Sequence, residues 1–238
     1  NKIINQPDNL KITTETKNIQ RQQNSKTIAV VGAGFAGLST AALLAKQGYK
    51  VKVFEKNKQP GGRGHVTKAK GFTMDMGPSW YLMPDVFERY FALFNKKPSD
   101  FYELVRLDPN YRMFFGNDKI IDIKKDINEN VKIFDELEEN GGQKLLDYLK
   151  DSHKKYELAM EHFVYKSYES VFDLLNRHLL KESKNLDVFG SIGDYVDKYF
   201  TSDMAKKILL YNIVFLGGIP SNTPALYSIM AHIDFELG

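Results

Sequence analysis

The chain has 238 residues, 42% of them hydrophobic, which is room for one large or two small domains around a substantial core. It contains no cysteine, which excludes disulfides, thiolate catalysis and cysteine-based metal sites and fits a reducing compartment. The net charge of +3 resides wholly in residues 1–26; beyond them Lys/Arg and Asp/Glu balance, so nothing points to nucleic acid, and no apolar run is long enough for a transmembrane helix.

Residues 1–25 are rich in Asn, Gln, Lys and Thr and lack the apolar stretch of a signal peptide, so a disordered or loosely attached leader is expected. The chain opens on Asn1 rather than Met, which suggests a cut product or fragment. Thr27 to Val31 is a β-branched run of the kind expected for a strand buried on both faces. Gly32, Gly34 and Gly37 then give G-x-G-x-x-G where that strand must turn into a helix. Gly32 permits the tight turn, Gly34 lets a pyrophosphate approach bare backbone, and Gly37 lets the helix lie close on the strand. The helix amino end presents free amides and its positive dipole to the phosphates. Leu38, Ala41, Ala42 and Ala45 form a small-residue face for packing on a sheet, and Gly48 stands where a helix-terminating glycine belongs.

A second strand, Val51 to Phe54, ends at Glu55, 18 residues past Gly37, where an acid accepts hydrogen bonds from the adenosine ribose. A glycine triplet alone is a weak signal, because ordinary turns also gather glycines. Here strand, turn, helix, strand and acid fall in order, and the reading is a dinucleotide site.

Gln59-Pro60-Gly61-Gly62-Arg63 adds a glycine pair that lets the backbone pass close to a ligand, and an arginine fork suited to phosphate or flavin oxygens. With this extension the sequence resembles the flavoprotein superfamily of amine oxidases, protoporphyrinogen oxidase, carotenoid desaturases and the Rab GDP-dissociation inhibitors. The resemblance implies FAD rather than NAD.

Two short strands, His65 to Lys70 and Phe72 to Met76, are expected around Gly71, followed by Gly77-Pro78-Ser79-Trp80-Tyr81. The stretch from Gly71 to Phe115 is similar to the bacterial phytoene desaturase family of carotenoid biosynthesis. The similarity returns in Ser191 to Tyr195 and in Asn222 to Ser228. It implies that Gly77, Pro78 and Ser79 lie beside the flavin ring and that Trp80 and Tyr81 line a substrate channel. Pro84 suits the first turn of a helix on which Val86, Phe87, Tyr90, Phe91 and Phe94 form an aromatic core stripe.

Tyr102–Leu107, Tyr111–Phe115 and Lys119–Ile123 alternate like antiparallel strands, with Gly116-Asn117-Asp118 as a hairpin turn. The family would use such a sheet as the floor of its substrate cavity. From about Ile127 to Lys181 the pattern is helical, interrupted at Gly141-Gly142, with Leu145, Leu149, Tyr156, Met160 and Phe163 on one stripe. The broader apolar set from Phe163 to Leu175 reads as a long amphipathic helix, or as a face meeting a membrane or a greasy substrate. Histidines 65, 153, 162, 178 and 232 show no metal spacing, so no metal site is expected. No Ser/His/Asp arrangement, P-loop or internal repeat occurs.

The expected organisation is a leader (1–25), an α/β Rossmann-like FAD-binding part (26–100), an inserted antiparallel sheet (101–125) and an incomplete helical domain (126–238). The family's C-terminal return segment would be missing. The expected cofactor-binding set is Gly32, Ala33, Gly34, Phe35, Ala36, Gly37, Glu55, Lys56, Gly62, Arg63, Gly77, Pro78 and Ser79. No catalytic acid or base is assigned, and Asp75 reads as a turn residue. The resemblance implies FAD-dependent desaturation of phytoene or a related acyclic C40 carotenoid, by a cytoplasmic protein peripheral at the membrane. The alternatives are another amine-oxidase-like flavoenzyme, or a non-catalytic prenyl-binding relative of the Rab GDP-dissociation inhibitors.

Overall fold

The computed structural model describes residues 26–77, 80–117, 119–165 and 190–237. The leader, Pro78, Ser79, Asp118 and residues 166–189, with the rest of the apolar stretch beyond Tyr165, lie outside the described residues. The chain divides into two compact units, residues 1–79 and 80–238. The division thus falls ahead of the expected boundary at 100. Residues 80–100 contact the rest of the second unit through their rings, Trp80 against Phe215 with centroids 5.3 Å apart and Phe91 against Phe101 at 5.1 Å.

The first unit opens with a βαβ motif. Strands β1 (Thr27–Val31) and β2 (Lys50–Phe54) pair in parallel, Thr27 opposite Lys50 and Val31 opposite Phe54, with helix α1 (Phe35–Lys46) between them. Gly48 ends that helix at φ +91°, its amide donating to the Ala45 carbonyl. Strands β3 (Val66–Ala69) and β4 (Phe72–Asp75) form an antiparallel hairpin that turns through Gly71, also at positive φ. The expectation that β1 is buried on both faces does not hold. Ile28 and Val30 are half-buried, whereas Val31 is 87% exposed, because a two-stranded sheet with one helix covers one face. For the same reason only Ala41 of the α1 stripe is buried, while Leu38 and Ala45 are exposed.

In the second unit, helix α2 (Pro84–Ala92) starts with proline in its first turn. Its aromatic stripe is half-buried and ring-stacked rather than fully enclosed. Tyr102–Leu107 forms no strand pairing among the described residues, a correction to the three-strand expectation. Alternation predicts faces but not a partner, and Leu104, Val105 and Leu107 are all exposed. The other two strands form as expected, β5 (Tyr111–Phe115) pairing antiparallel with β6 (Lys119–Ile123).

Helix α3 (Ile127–Leu137) is capped by Asp126, whose carboxylate accepts from the Asn128 amide at 2.9 Å. Gly141 and Gly142 open helix α4 (Gly141–Ala159) rather than break one. A Cβ on Gly141 would stand 1.9 Å from the Phe134 carbonyl oxygen, so only glycine lets the two helices meet at this corner. Helices α5 (Ile192–Asp197) and α6 (Asp203–Leu210) start at the serine caps Ser191 and Ser202. They complete a core in which Phe134, Leu145, Tyr148, Val196, Phe200 and Ile208 are fully buried. The late segments 191–195 and 222–228 meet: Ser191 bridges Pro224, and the Ile192 amide donates to the Thr223 carbonyl at 2.8 Å. Among the described residues no helix is long and apolar enough to cross a membrane.

Candidate functional site

The three glycines of the first turn serve three different ends. Gly32 has φ +97°, a conformation side chains resist, with open space where a Cβ would stand. Gly37 is sterically obligatory, since its Cβ would lie 1.9 Å from the Gly32 carbonyl oxygen. Gly34 is required by neither: its φ of −81° suits any residue, and a Cβ there would make only an ordinary 3.7 Å contact with the Gly62 Cα. That added atom would fill the gap where the first glycine loop faces the second.

The second loop is tied to the first. The Gly61 amide donates to the Ala33 carbonyl at 2.8 Å, and a Cβ on Gly62 would come within 3.0 Å of the Gly34 Cα. Gly61 and Gly62 both have positive φ, so two stretches of bare backbone oppose each other at close range. His65, which the sequence reading did not place in the site, holds this loop by donating from Nδ1 to the Gly62 carbonyl at 2.7 Å. Arg63 follows in a short turn with its side chain exposed. Gly77 packs beneath it, since a Cβ on Gly77 would lie 2.5 Å from the Arg63 carbonyl oxygen. Thus Gly32, Gly34, Gly37, Gly62, Arg63 and Gly77 converge, while Pro78 and Ser79 lie outside the described residues.

Glu55 stands at the end of β2 and turns toward the glycine loop. It accepts from the Ala33 amide at 2.7 Å and from the Asn57 amide at 2.9 Å. These bonds hold its carboxyl below its ordinary value, so it is ionised at neutral pH. Ala33 is therefore a tie between strand, acid and second loop, its amide and carbonyl both engaged and its side chain buried. The amides of Phe35, Ala36 and Gly37 begin α1 and by helix geometry have no intrahelical acceptor. No acidic residue sits in that first turn and no side chain caps it, so its positive end is left for an anion. Lys56 is exposed beside Glu55, and Asp75, read as a turn residue, is the exposed last residue of β4.

In the second unit Trp80 sits among Tyr111, Tyr211 and Phe215, with centroids 6.3, 6.0 and 5.3 Å away. Behind these rings Asp234 is buried, and burial pushes its carboxyl up to about 6, while the Tyr111 hydroxyl and Asn212 amide pull the other way without closing a hydrogen bond to its Oδ2. Tyr81 joins a separate cluster, its hydroxyl 2.6 Å from that of Tyr102. Among the histidines read as non-ligands, 153 and 232 stand ring to ring, with centroids 4.5 Å apart.

A parallel βαβ unit with a glycine-lined turn, a helix amino end without a side-chain cap and an acid closing the second strand defines a Rossmann-type dinucleotide-binding module. The family description of an NAD(P)-binding Rossmann-like domain matches residues 30–96. By sequence the chain is similar to carotenoid desaturases. It is 44% identical over 216 residues to a carotenoid 3,4-desaturase of Haloarcula japonica, covering 90% of this chain and 44% of that protein. It is 34% identical to a 4,4'-diapophytoene desaturase of Staphylococcus aureus, covering 89% and 42% respectively. The chain therefore spans less than half the length of these curated relatives. In fold it is similar to an engineered putrescine oxidase, with a TM-score of 0.54 at 19% identity over 87% of this chain and 42% of that one. A Methanosarcina mazei oxidoreductase gives a TM-score of 0.50 at 19% identity, covering 88% and 44%.

Proposed function

We propose that the protein to which this chain belongs is an FAD-dependent desaturase of phytoene or a related acyclic C40 carotenoid. The observation that carries the reading is the facing pair of glycine loops, joined by Gly61 to Ala33 and closed by Glu55. Two bare-backbone stretches and an unpaired helix amino end suit a pyrophosphate, which is what a dinucleotide brings to such a turn. The names of the sequence relatives share the word desaturase, of a carotenoid in one and of 4,4'-diapophytoene in the other, which supports the reaction class.

The residues present fit the cofactor. Gly32, Gly34 and the first amides of α1 bind the pyrophosphate, and Gly62 gives it room. Glu55 keeps lone pairs beyond those used by Ala33 and Asn57, and accepts from the ribose hydroxyls. Arg63 offers its planar fork to the phosphate or ribityl region. When bound, the flavin would supply the acceptor for a hydride leaving an allylic carbon, while a proton leaves the adjacent carbon to solvent and the new double bond forms between them. The protein orients the polyene and excludes water, with Trp80 and its aromatic neighbours contacting the hydrocarbon.

A hydrocarbon substrate has to be collected from a bilayer, so we place the working protein at a membrane surface. The exposed run Val214, Phe215 and Leu216, with Ile219 close by, supplies apolar side chains for reversible attachment. Anaerobic spectroscopy of the intact protein, purified from a carotenoid-free host, tests the function. Flavin bands should be present and should bleach on adding phytoene in liposomes but not on adding amines. Bleaching by amines alone would move the protein to the oxidase reading, and absence of flavin would refute the cofactor.

A further inference from the structure

Apart from the nucleotide site, the second unit assembles four ionisable groups in a row. His153 lies on α4 with Glu157 one turn further along. His232 ends the short helix α7 (Ile229–His232), with Glu236 one turn beyond in the final turn of the chain. The order is Glu157, His153, His232, Glu236. Glu157 Oε1 is 3.4 Å from His153 Nε2, His153 Nδ1 is 3.2 Å from His232 Nε2, and His232 Nδ1 is 3.1 Å from Glu236 Oε2. His232 is buried, its Nδ1 near Glu236 in distance but without the alignment of a hydrogen bond.

Three polar gaps each need a proton or a cation between their atoms. Two neutral imidazoles carry one N–H each and fill two of them. With both N–H groups on Nδ1 the two inner gaps are filled, and the outer one, 3.4 Å from His153 to the exposed Glu157, is open to solvent. A cation could take the place of the proton between the two imidazoles. The central gap fits a metal: two nitrogens 3.2 Å apart, each at a zinc–nitrogen distance of about 2.0–2.1 Å, subtend an angle of roughly 100°, near tetrahedral. The ligand atoms of His153, His232 and Glu236 all lie within 4.8 Å of one another. Glu157 then backs His153 from its outer nitrogen, as carboxylates do for metal-bound imidazoles.

We propose that His153 Nδ1, His232 Nε2 and the Glu236 carboxylate form a site for one divalent cation of the zinc type, pinning α4 to the closing turn of the chain. Such an ion would hold together elements separated in sequence and would act structurally rather than on the substrate. The 79-residue separation hides the pair from any spacing motif.

The test uses the intact protein stripped with a chelator and titrated with zinc chloride against a fluorescent zinc indicator. One equivalent per chain should bind and raise the melting temperature. His153→Ala, at a partly exposed position, should melt like the metal-free wild type and lose zinc affinity by roughly tenfold or more, and Glu157→Gln should lose about tenfold. Copper(II) in place of zinc should show couplings from two imidazole nitrogens in electron paramagnetic resonance, reduced to one in His153→Ala. Should His153→Ala misfold, His153→Gln serves in the same comparison. Equal zinc uptake by wild type and variant, or no uptake by either, would overturn the proposal and leave a shared proton in the central gap.

Discussion

Replacing Gly34 and Gly37 by alanine, one at a time, separates what the glycine turn does for the fold from what it does for a ligand. At Gly37 the new methyl would stand 1.9 Å from the Gly32 carbonyl oxygen, and side-chain carbons essentially never approach a heavy atom closer than 3.0 Å. Helix α1 must then move off the turn by roughly 1 Å, and overpacking of this kind costs about 1–3 kcal/mol. At Gly34 the methyl meets nothing nearer than 3.7 Å, at backbone angles alanine adopts freely. That variant should fold as well as the wild type, or gain about 0.4–1 kcal/mol from a stiffer unfolded chain. Its methyl nevertheless projects into the gap facing Gly62, where the pyrophosphate is proposed to lie. FAD affinity should fall by roughly tenfold or more, each tenfold being about 1.4 kcal/mol. Denaturant unfolding without flavin, alongside isothermal titration with FAD, reads both quantities on the intact protein. A Gly34→Ala variant that binds FAD like the wild type would refute the close-approach reasoning, whatever Gly37→Ala does.

Glu55→Gln should release FAD about ten- to a hundredfold more readily, as flavin per polypeptide after gel filtration would show. Because the folded-state carboxyl titrates below its ordinary value, the stability Glu55 adds is present above about pH 4.5 and is lost as pH falls through the depressed value. The wild type and Glu55→Gln should therefore unfold more alike in acid than at pH 7, and a gap independent of pH would contradict this. Phe134→Ala removes a fully buried ring stacked 5.6 Å from Phe200 and should cost about 3–5 kcal/mol in denaturant unfolding. Phe215→Glu should reduce flotation of the intact protein with phosphatidylcholine vesicles, and unchanged flotation would remove that side chain from the membrane contact.

What the sequence reveals about the site follows from how local each feature is. The βαβ turn is legible because strand, three glycines, helix and acid are consecutive, with a backbone reason for Gly32, a steric one for Gly37 and neither for Gly34, which is left to the ligand. The hairpins of β3–β4 and β5–β6 are legible for the same reason, their turns lying between their strands. The engagement of Glu55 by the Ala33 amide is not, because spacing predicts that the acid reaches the ribose and says nothing of a backbone donor on the way. His65 is missed since a ring holding a carbonyl three residues back leaves no pattern. Tyr102–Leu107 alternates like a strand but forms no strand ladder with any of the described residues, because alternation describes side-chain faces, whereas a strand needs a neighbour. The meeting of 191–195 with 222–228, and of His153 with His232, is set by how the helices of the second unit pack.

The central claim is that the two glycine loops and Glu55 together hold the adenosine diphosphate part of FAD. A crystal structure of the intact protein grown with FAD tests it most directly. The claim predicts pyrophosphate oxygens on the first amides of α1, in the gap between Gly34 and Gly62, with a ribose hydroxyl donating to Glu55. A pyrophosphate bound away from that gap, or a ribose out of reach of Glu55, would contradict it.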